Sequence, residues 1–386
     1  MILKQLNNEN MTVIGIMTGT SMDSIDISIC KFSSEINFEL IAFEEYDFPE
    51  ELRTKLNKMI GGELLLKDIS QINFYFSYLY YESIKNCLFK NNIHIDRINA
   101  IGIHGQTLWH QPKGEKLFAN DDFMISSTFQ LGSGSVLSNL IGKTVVSNFR
   151  EADMAMGGEG APLIPIFDYH FLKSDRENII ALNIGGISNI TYLKRHCKVE
   201  EVIAFDTGPG NSLIDIAMQF YYNKSYDNNG EVAYRGSLID SLYQELHDIH
   251  FINKRPPKST GKEDFGIELF EKINNKYFAN KKEDIIHTLS LFTAYSIAEN
   301  IKLFANVKSK IVVSGGGIKN KFIIESLKLF LSQSIIISSD KIGINSSAKE
   351  SICFAYLAYR TMNKLPSNIT SVTGASKTVV LGSISS

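Results

Sequence analysis

Residues 12–30 read TVIGIMTGTSMDSIDISIC. An apolar run ends at Gly15-Ile16-Met17, and a small-residue turn follows at Thr18-Gly19-Thr20-Ser21. After Asp23, the residues Ile25, Ile27 and Ile29 alternate with Asp26 and Ser28. An apolar run, a glycine turn and then alternation with period two is the pattern of a β-hairpin with one buried face. Residues 179–193, IIALNIGGISNITYL, repeat the pattern around the turn Gly185-Gly186-Ile187-Ser188-Asn189. One such hairpin in each half predicts a duplicated fold that holds a nucleotide phosphate chain between its halves.

The chain has 386 residues, more than one ordinary core accommodates, so two domains are expected. With 44% hydrophobic and 21% charged residues there are enough apolar side chains to fill two cores. A net charge of −3 gives no electrostatic reason to expect nucleic acid or an anionic membrane as partner. Cys30, Cys87, Cys197 and Cys353 are far apart and form no CxxC pair, which points to reduced thiols rather than a zinc knuckle or disulfide framework. The opening MILKQLNNEN lacks the apolar core of a signal peptide, and no apolar run approaches the ~18 residues of a membrane span. A cytoplasmic protein is expected.

Alternating strands and helices run outward from the two hairpins and predict an α/β architecture. Residues 50–90 are expected to be helical, with Ile69, Ile72, Tyr75, Phe76, Leu79, Tyr80 and Ile84 forming a core stripe at spacings of three and four. Strand 98–103 runs into His104-Gly105-Gln106-Thr107. In the second half, strand 201–205 runs into Asp206-Thr207-Gly208-Pro209-Gly210-Asn211, and a helix from Ser212 is expected to bury Leu213, Ile216 and Phe220. Residues 223–265 read as a polar insertion. Strand Ile311-Val312-Val313 ends in Ser314-Gly315-Gly316-Gly317, and a last strand near Val379-Val380-Leu381 returns the chain to the first domain.

Six segments carry candidate chemistry. Successive N–H groups in the Gly19-Thr20-Ser21 turn form an anion cradle, with Asp23 or Asp26 facing a magnesium ion through water; a plain β-hairpin needs the glycine too. No GxxxxGK[ST] occurs in the chain. Asp206, with Gly208, Gly210 and Asn211 opening a helix, puts N–H groups and a carboxylate beside a metal-bound polyphosphate. Gly315, Gly316 and Gly317 allow close approach of an adenine-ribose unit, or simply a tight turn. Residues 149–163, FREADMAMGGEGAPL, place Asp153 before a glycine-rich loop as a candidate general base, with Arg150 to orient an oxygen-rich substrate or to form a structural ion pair. His104, Gln106 and Thr107 are candidate substrate donors. Trp109 reads as packing more than as a sugar platform. Residues 256–263, PPKSTGKE, read as a stiff loop reaching over a cleft as part of a lid.

In this order, GIMTGTSMDSID, GIHGQTLWHQP, NFREADMAMGGEGAPLIP, NIGGISN, DTGPGN, PPKSTGKE, SGGG and TGAS resemble the anhydro-N-acetylmuramic acid kinase family over nearly the whole chain. The resemblance implies two RNase H-like, actin-like ATPase domains flanking a central nucleotide cleft, with expected bounds 1–147 plus 368–386 and 148–367, the latter carrying a lid-like insertion near 223–265. It implies ATP and Mg2+ as cofactors, a small-molecule amino sugar as substrate, and a homodimer. The implied reaction phosphorylates O6 of 1,6-anhydro-N-acetylmuramic acid while water opens the ring, with Asp153 as base. The ATP hairpin corresponds to Gly19, Thr20, Ser21, Met22, Asp23, Ser24, Ile25 and Asp26, joined by Gly185 and Gly186. Asp23, Asp26 and Asp206 are the implied metal carboxylates, and His104, Gln106, Thr107, Arg150, Gly158 and Glu159 the sugar contacts. The chain departs from the family at Thr18, Ser24, Asn148 and Glu159. The last two exchange one carboxylate for another and mark where metal affinity or acceptor preference would change. A kinase of another sugar and a non-catalytic nucleotide-dependent regulator are the competing readings; the intact Asp153 loop argues against the regulator.

Overall fold

The computed structural model describes residues 10–386 apart from 20, 21, 23, 61, 64 and 121. The described chain divides after Phe171 and after Ser347, so that Ala348–Ser386 belongs with the first unit. The strands of the first unit are β1 (Met11–Met17), β2 (Ser24–Ser34), β3 (Asn37–Asp47), β4 (Ala100–Ile103), β5 (Gln106–Glu115), β6 (Ile125–Leu131), β7 (Val145–Ser147) and a short C-terminal strand Ser383–Ser385. The second unit carries β8 (Asn178–Ile184), β9 (Ile187–Leu193), β10 (Ile203–Pro209), β11 (Ser309–Ser314) and β12 (Ile335–Ser338).

The duplication read from the hairpins is present in the topology. The first sheet has the order β3-β2-β1-β4-β7 plus the C-terminal strand, and the second β10-β9-β8-β11-β12. In each, the first three strands in sequence are antiparallel neighbours, and the fourth and fifth add parallel on the far side of the first. This is the RNase H-like order, once per unit. β5 and β6 form a separate two-stranded ribbon.

The alternation in β2 places Ile25, Ile27 and Ile29 in a core with Ile14, Ile16, Ile101 and Ile103. Helix Leu66–Lys90 closes that core with Ile72, Phe76, Tyr80 and Ile84 of the expected stripe, with Ile69 and Leu79 partly buried against it, whereas Tyr75 stays 45% exposed. The opposite face of the sheet is covered by helix Lys349–Met362, and there the fit is unusually close. Gly15 and Gly102 are register partners on neighbouring strands. A Cβ on Gly15 would overlap the Ser351 carbonyl oxygen and the Ala355 nitrogen, and one on Gly102 would overlap the Phe354 carbonyl oxygen. The helix backbone therefore lies directly on a glycine stripe. Ser28 Oγ and Ser351 Oγ meet at 2.6 Å, and a buried ion pair, Lys349 Nζ to Asp168 Oδ1 at 2.7 Å, fixes the start of the helix. This packing is why residues 348–367 go with the first unit, where the sequence reading assigned them to the second.

Three further readings change. Helix Ser212–Tyr222 buries Leu213, Ile214, Ala217 and Met218, while Phe220 is 62% exposed, because the buried arc is rotated by one position from the expected one. Residues 379–381 are not a strand; the terminal strand is Ser383–Ser385, paired with β7. The segment 223–265 is largely helical and supplies Val232, Ala233, Leu242, Leu246, Ile252 and Phe265 to the core of the second unit. All four cysteines are buried and free, as expected.

Gly15→Ala and Gly102→Ala should each destabilise the protein by at least about 1–3 kcal/mol, the usual cost of overpacking. Gly186→Ala, where a Cβ meets nothing within 4 Å, should leave the denaturant midpoint in place. Equal midpoints for all three variants would show that the helix does not sit on the glycine stripe.

Candidate active site

Because β1, β4 and β7 are parallel, their carboxyl ends share one edge of the first sheet. That edge gathers Thr18 and Gly19, the residues after Ile103, and the residues after Ser147. His104 N donates to Ile16 O at 3.0 Å, and Gln106 Nε2 donates to Gly19 O at 3.2 Å. Asn148 has φ 56°, a left-handed conformation that Asn and Asp tolerate better than other side chains. The departure at Asn148 is thus explained by backbone shape, which either residue satisfies.

Arg150 is the centre of a buried polar cluster. Its Nη1 donates to Gly160 O at 2.7 Å, and its Nη2 donates to His104 Nε2, also at 2.7 Å. Burial, reinforced by the Arg150 charge, pushes the His104 imidazole well below its ordinary value. His104 is therefore neutral and accepts at Nε2, which leaves its proton on Nδ1. Burial also lowers Arg150, to about 10, against the pull of Glu350; it remains a cation at neutral pH. Two buried atoms here have no hydrogen-bond partner, Gln106 Oε1 and Arg150 Nε, while the Thr18 and Gly105 carbonyls favour a proton on His104. Unpaired buried polar atoms are costly unless a ligand or water completes them.

Asp153 is fully buried. Its Oδ2 accepts from Gly160 N at 2.8 Å. Its Oδ1 accepts from Asn368 Nδ2 at 2.8 Å and from Thr373 Oγ1 at 2.7 Å. Gly160, at φ +68°, thus joins both candidates: its N–H serves the Asp153 carboxylate and its carbonyl serves the Arg150 guanidinium. A Cβ on Gly158 would overlap Asp153 Oδ2, so only glycine fits against that oxygen. Glu159 is half-buried and ties the loop to the C-terminal segment through its N–H to Thr373 O at 2.8 Å. Asn368 and Thr373 were not identified as site residues from the sequence. They lie 215 and 220 residues from Asp153; Thr373 opens the TGAS motif that marks the family, but neither residue's link to Asp153 is visible until the tail is packed.

The remaining expected residues of this unit are dispersed. Thr20, Ser21 and Asp23, including the expected metal carboxylate Asp23, lie outside the described residues. Met22 closes the turn through its N–H to Gly19 O at 3.2 Å. Ile25 is wholly buried in the core, so any contact it makes with a nucleotide is left to its backbone. Ser24 Oγ donates to Asp26 Oδ1 at 3.2 Å. Thr107 is half-buried on the β5–β6 ribbon. Trp109 is 59% exposed, which removes the packing role read for it.

In the second unit the three glycine turns meet at one end of the sheet. Gly210 N and Ser212 N donate to Gly186 O, and Asn211 N donates to Gly185 O, at 2.8–3.1 Å. These N–H groups bind one turn to the next, so they are not the phosphate cradle the sequence reading made of them. A Cβ on Gly210 would overlap Gly185 O, one on Gly315 would meet Asn183 Oδ1, and one on Gly317 would overlap Ile184. Gly315, at φ +83°, Gly317 and Gly210 are accounted for by internal packing, and Gly208 is the strand-end glycine at φ +136°. Among the glycines of these three turns, only Gly186 and Gly316 have open space where a Cβ would stand. Asp206 Oδ2 accepts from Ser259 Oγ and Thr260 N, both at 3.0 Å. The loop that supplies them is anchored rather than overhanging: Lys258 is buried, donates to Phe251 O and Ile252 O, and lies over the Phe205, Phe251 and Phe304 rings. Among the described residues no group of three His, Cys, Asp or Glu side chains could hold a metal ion, and no helix is long and apolar enough to cross a membrane.

The family model for anhydro-N-acetylmuramic acid kinase matches residues 11–386. A curated protein of that name from Francisella tularensis subsp. novicida (strain U112) is 40% identical over 383 residues, 96% of this chain and 97% of its own. Proteins of the same name from Bacillus cereus (strain ATCC 10987 / NRS 248) and Clostridioides difficile (strain 630) are 36% identical over 384 residues and 35% over 378, covering 97% and 96% of this chain and 98% and 97% of their own. Among solved structures, the activator of the 2-hydroxyisocaproyl-CoA dehydratase from Clostridium difficile with bound ADPNP aligns over 92% of this chain and 96% of its own, at 11% identity and a TM-score of 0.46.

Burial pushes the Asp206 carboxyl up to about 6 from the ordinary 3.8, against the lowering effect of Thr260, Ser259 and Lys258. Between those values the folded state keeps a proton that the unfolded chain has released. The group's contribution to stability is therefore complete below pH 3.8 and is lost as the pH rises through about 6. Asp206→Asn removes this titration. The difference in Tm between variant and wild type should shift in the variant's favour from pH 4 to pH 7; a difference independent of pH would contradict the assignment.

Proposed function

The chain belongs to the anhydro-N-acetylmuramic acid kinase family, and from that membership we propose a division of labour in which the Asp153 loop handles the sugar and the glycine turns handle the nucleotide. The activity is that of the family: 1,6-anhydro-N-acetylmuramic acid is phosphorylated on O6 as water opens the anhydro ring, giving N-acetylmuramic acid 6-phosphate and ADP in cell-wall recycling.

Asp153 is the general base. It takes a proton from the water whose oxygen attacks the anomeric carbon; the C1–O6 bond breaks, and its electron pair stays on O6. A carboxylate offers about four acceptor positions. Three are filled in Asp153 by Gly160, Asn368 and Thr373, and the open one is on Oδ2, beside Gly158. That single open position on a rigidly held, buried carboxylate is the observation that carries the reading, since a base must be fixed as well as basic. Arg150 and Gln106 bind the sugar's oxygens and amide through Arg150 Nε and Gln106 Oε1, which the protein leaves unpaired, while His104 holds the guanidinium in place. Arg150 is the cation that balances charge growing on O6.

ATP, when bound, supplies the phosphoryl group that O6 accepts. The turns containing Gly186 and Gly316 suit its close approach, because both glycines leave open space. Of the implied metal carboxylates, Asp206 would reach magnesium through water, since its Oδ2 is engaged within the protein. The protein acts in the cytoplasm as a homodimer, which light scattering on the purified chain tests directly.

Asp153→Asn should lower kcat by at least about 100-fold, the low end for loss of a general base, while nucleotide binding measured by calorimetry is retained. Gly158→Ala should also lower kcat, because its methyl group covers Oδ2. Wild-type ADP release from Asp153→Asn with the anhydro sugar would end the base assignment.

A further inference from the structure

The C-terminal segment contributes more than a strand to the first unit. Thr373 O accepts from Glu159 N at 2.8 Å, and Met156 O accepts from both Ser376 N and Ser376 Oγ at 2.9 Å. Asn368 is itself held on both sides: its Nδ2 also donates to Lys377 O at 3.1 Å, and its Oδ1 accepts from Val379 N at 2.7 Å. Thr373 Oγ1 lies 3.4 Å from Ile369 O, one turn back. The segment from Asn368 to Val379 is thus a fixed bracket around residues 153–160, and its two side-chain donors both end on Asp153 Oδ1.

We propose that Thr373 and Asn368 are positioning residues for the known reaction: together they saturate Asp153 Oδ1 and so confine proton transfer to Oδ2. This rests on the reading of Asp153 as base and adds the atom that does the work. With both Oδ1 positions filled, the carboxylate cannot rotate about its Cβ–Cγ bond without breaking two charge-assisted hydrogen bonds at once. The proton from water then arrives at the Oδ2 position beside Gly158. Neither residue touches the sugar or the water; both act through the carboxylate.

The decisive experiment compares kcat and the KM for the anhydro sugar in Thr373→Val and Thr373→Ser, with ATP saturating and folding checked by thermal denaturation. Loss of one donor to an ionised group should lower kcat roughly tenfold with little change in KM for the sugar. Thr373→Ser, which keeps the hydroxyl, should restore kcat. A purely structural threonine would lower the yield of folded enzyme but leave kcat per folded molecule at the wild-type value. A wild-type kcat in folded Thr373→Val, or a Thr373→Ser no better than valine, would overturn the proposal. Should Asp153→Asn prove fully active, it is the base assignment that fails, and the two failures are distinct.

Discussion

The first unit depends on one packing constraint: helix Lys349–Met362 lies with its backbone against the Gly15–Gly102 stripe of the sheet. A Cβ on Gly15 would stand 1.9 Å from the Ser351 carbonyl oxygen and one on Gly102 2.3 Å from that of Phe354, so the helix would have to move outward to accept either. The helix then carries its own cargo into the site. Phe354 packs on the His104 ring, with centroids 4.7 Å apart, and on Phe149 at 5.6 Å. His104 and the residue before Arg150 are therefore set by the same contact, and the 2.7 Å approach of Arg150 to His104 follows from it. Close packing transmits such constraints because interiors leave no slack for local adjustment.

The polar half of the site is built on that apolar footing. A neutral imidazole accepting from a guanidinium, and a buried carboxylate accepting from three neutral donors, keep the Arg150 and Asp153 charges apart rather than spending them on each other. Had they formed a structural ion pair, the alternative reading of the sequence, neither would be free for an incoming ligand. Gly160 separates them, offering its carbonyl to one and its N–H to the other. The second unit shows the opposite economy. Most of the glycines at its sheet edge serve internal closure, turn on turn, and only Gly186 and Gly316 remain open.

Much of this was legible in the sequence because it is local. Period-two alternation in residues 24–30, the glycine turns and the order of strands and helices belong to the chain before any tertiary contact forms, and they gave the two hairpins and the α/β class. The family motifs likewise picked out Asp153, Arg150 and His104, which the fold brings to one edge. The misreadings concern what a residue faces. The helix at 212–222 was rotated by one position. The segment 223–265 looked polar yet fills a core, since short helices need only one or two apolar residues per turn to anchor them. Three glycines read as ligand contacts, Gly210, Gly315 and Gly317, are instead packed against the protein's own atoms.

The sequence by itself therefore determined the duplicated strand order, the family, and the identity of the candidate base, all of which are written in contiguous motifs and their succession. Only the tertiary structure decided which oxygen of Asp153 is open, which N–H groups are already spent, and that Asn368 and Thr373 hold the carboxylate from more than 200 residues away. The physical reason is that hydrogen-bond satisfaction is a property of three-dimensional neighbours. A side chain's type fixes how many bonds it can make, and only the packed fold fixes which of them remain to be made.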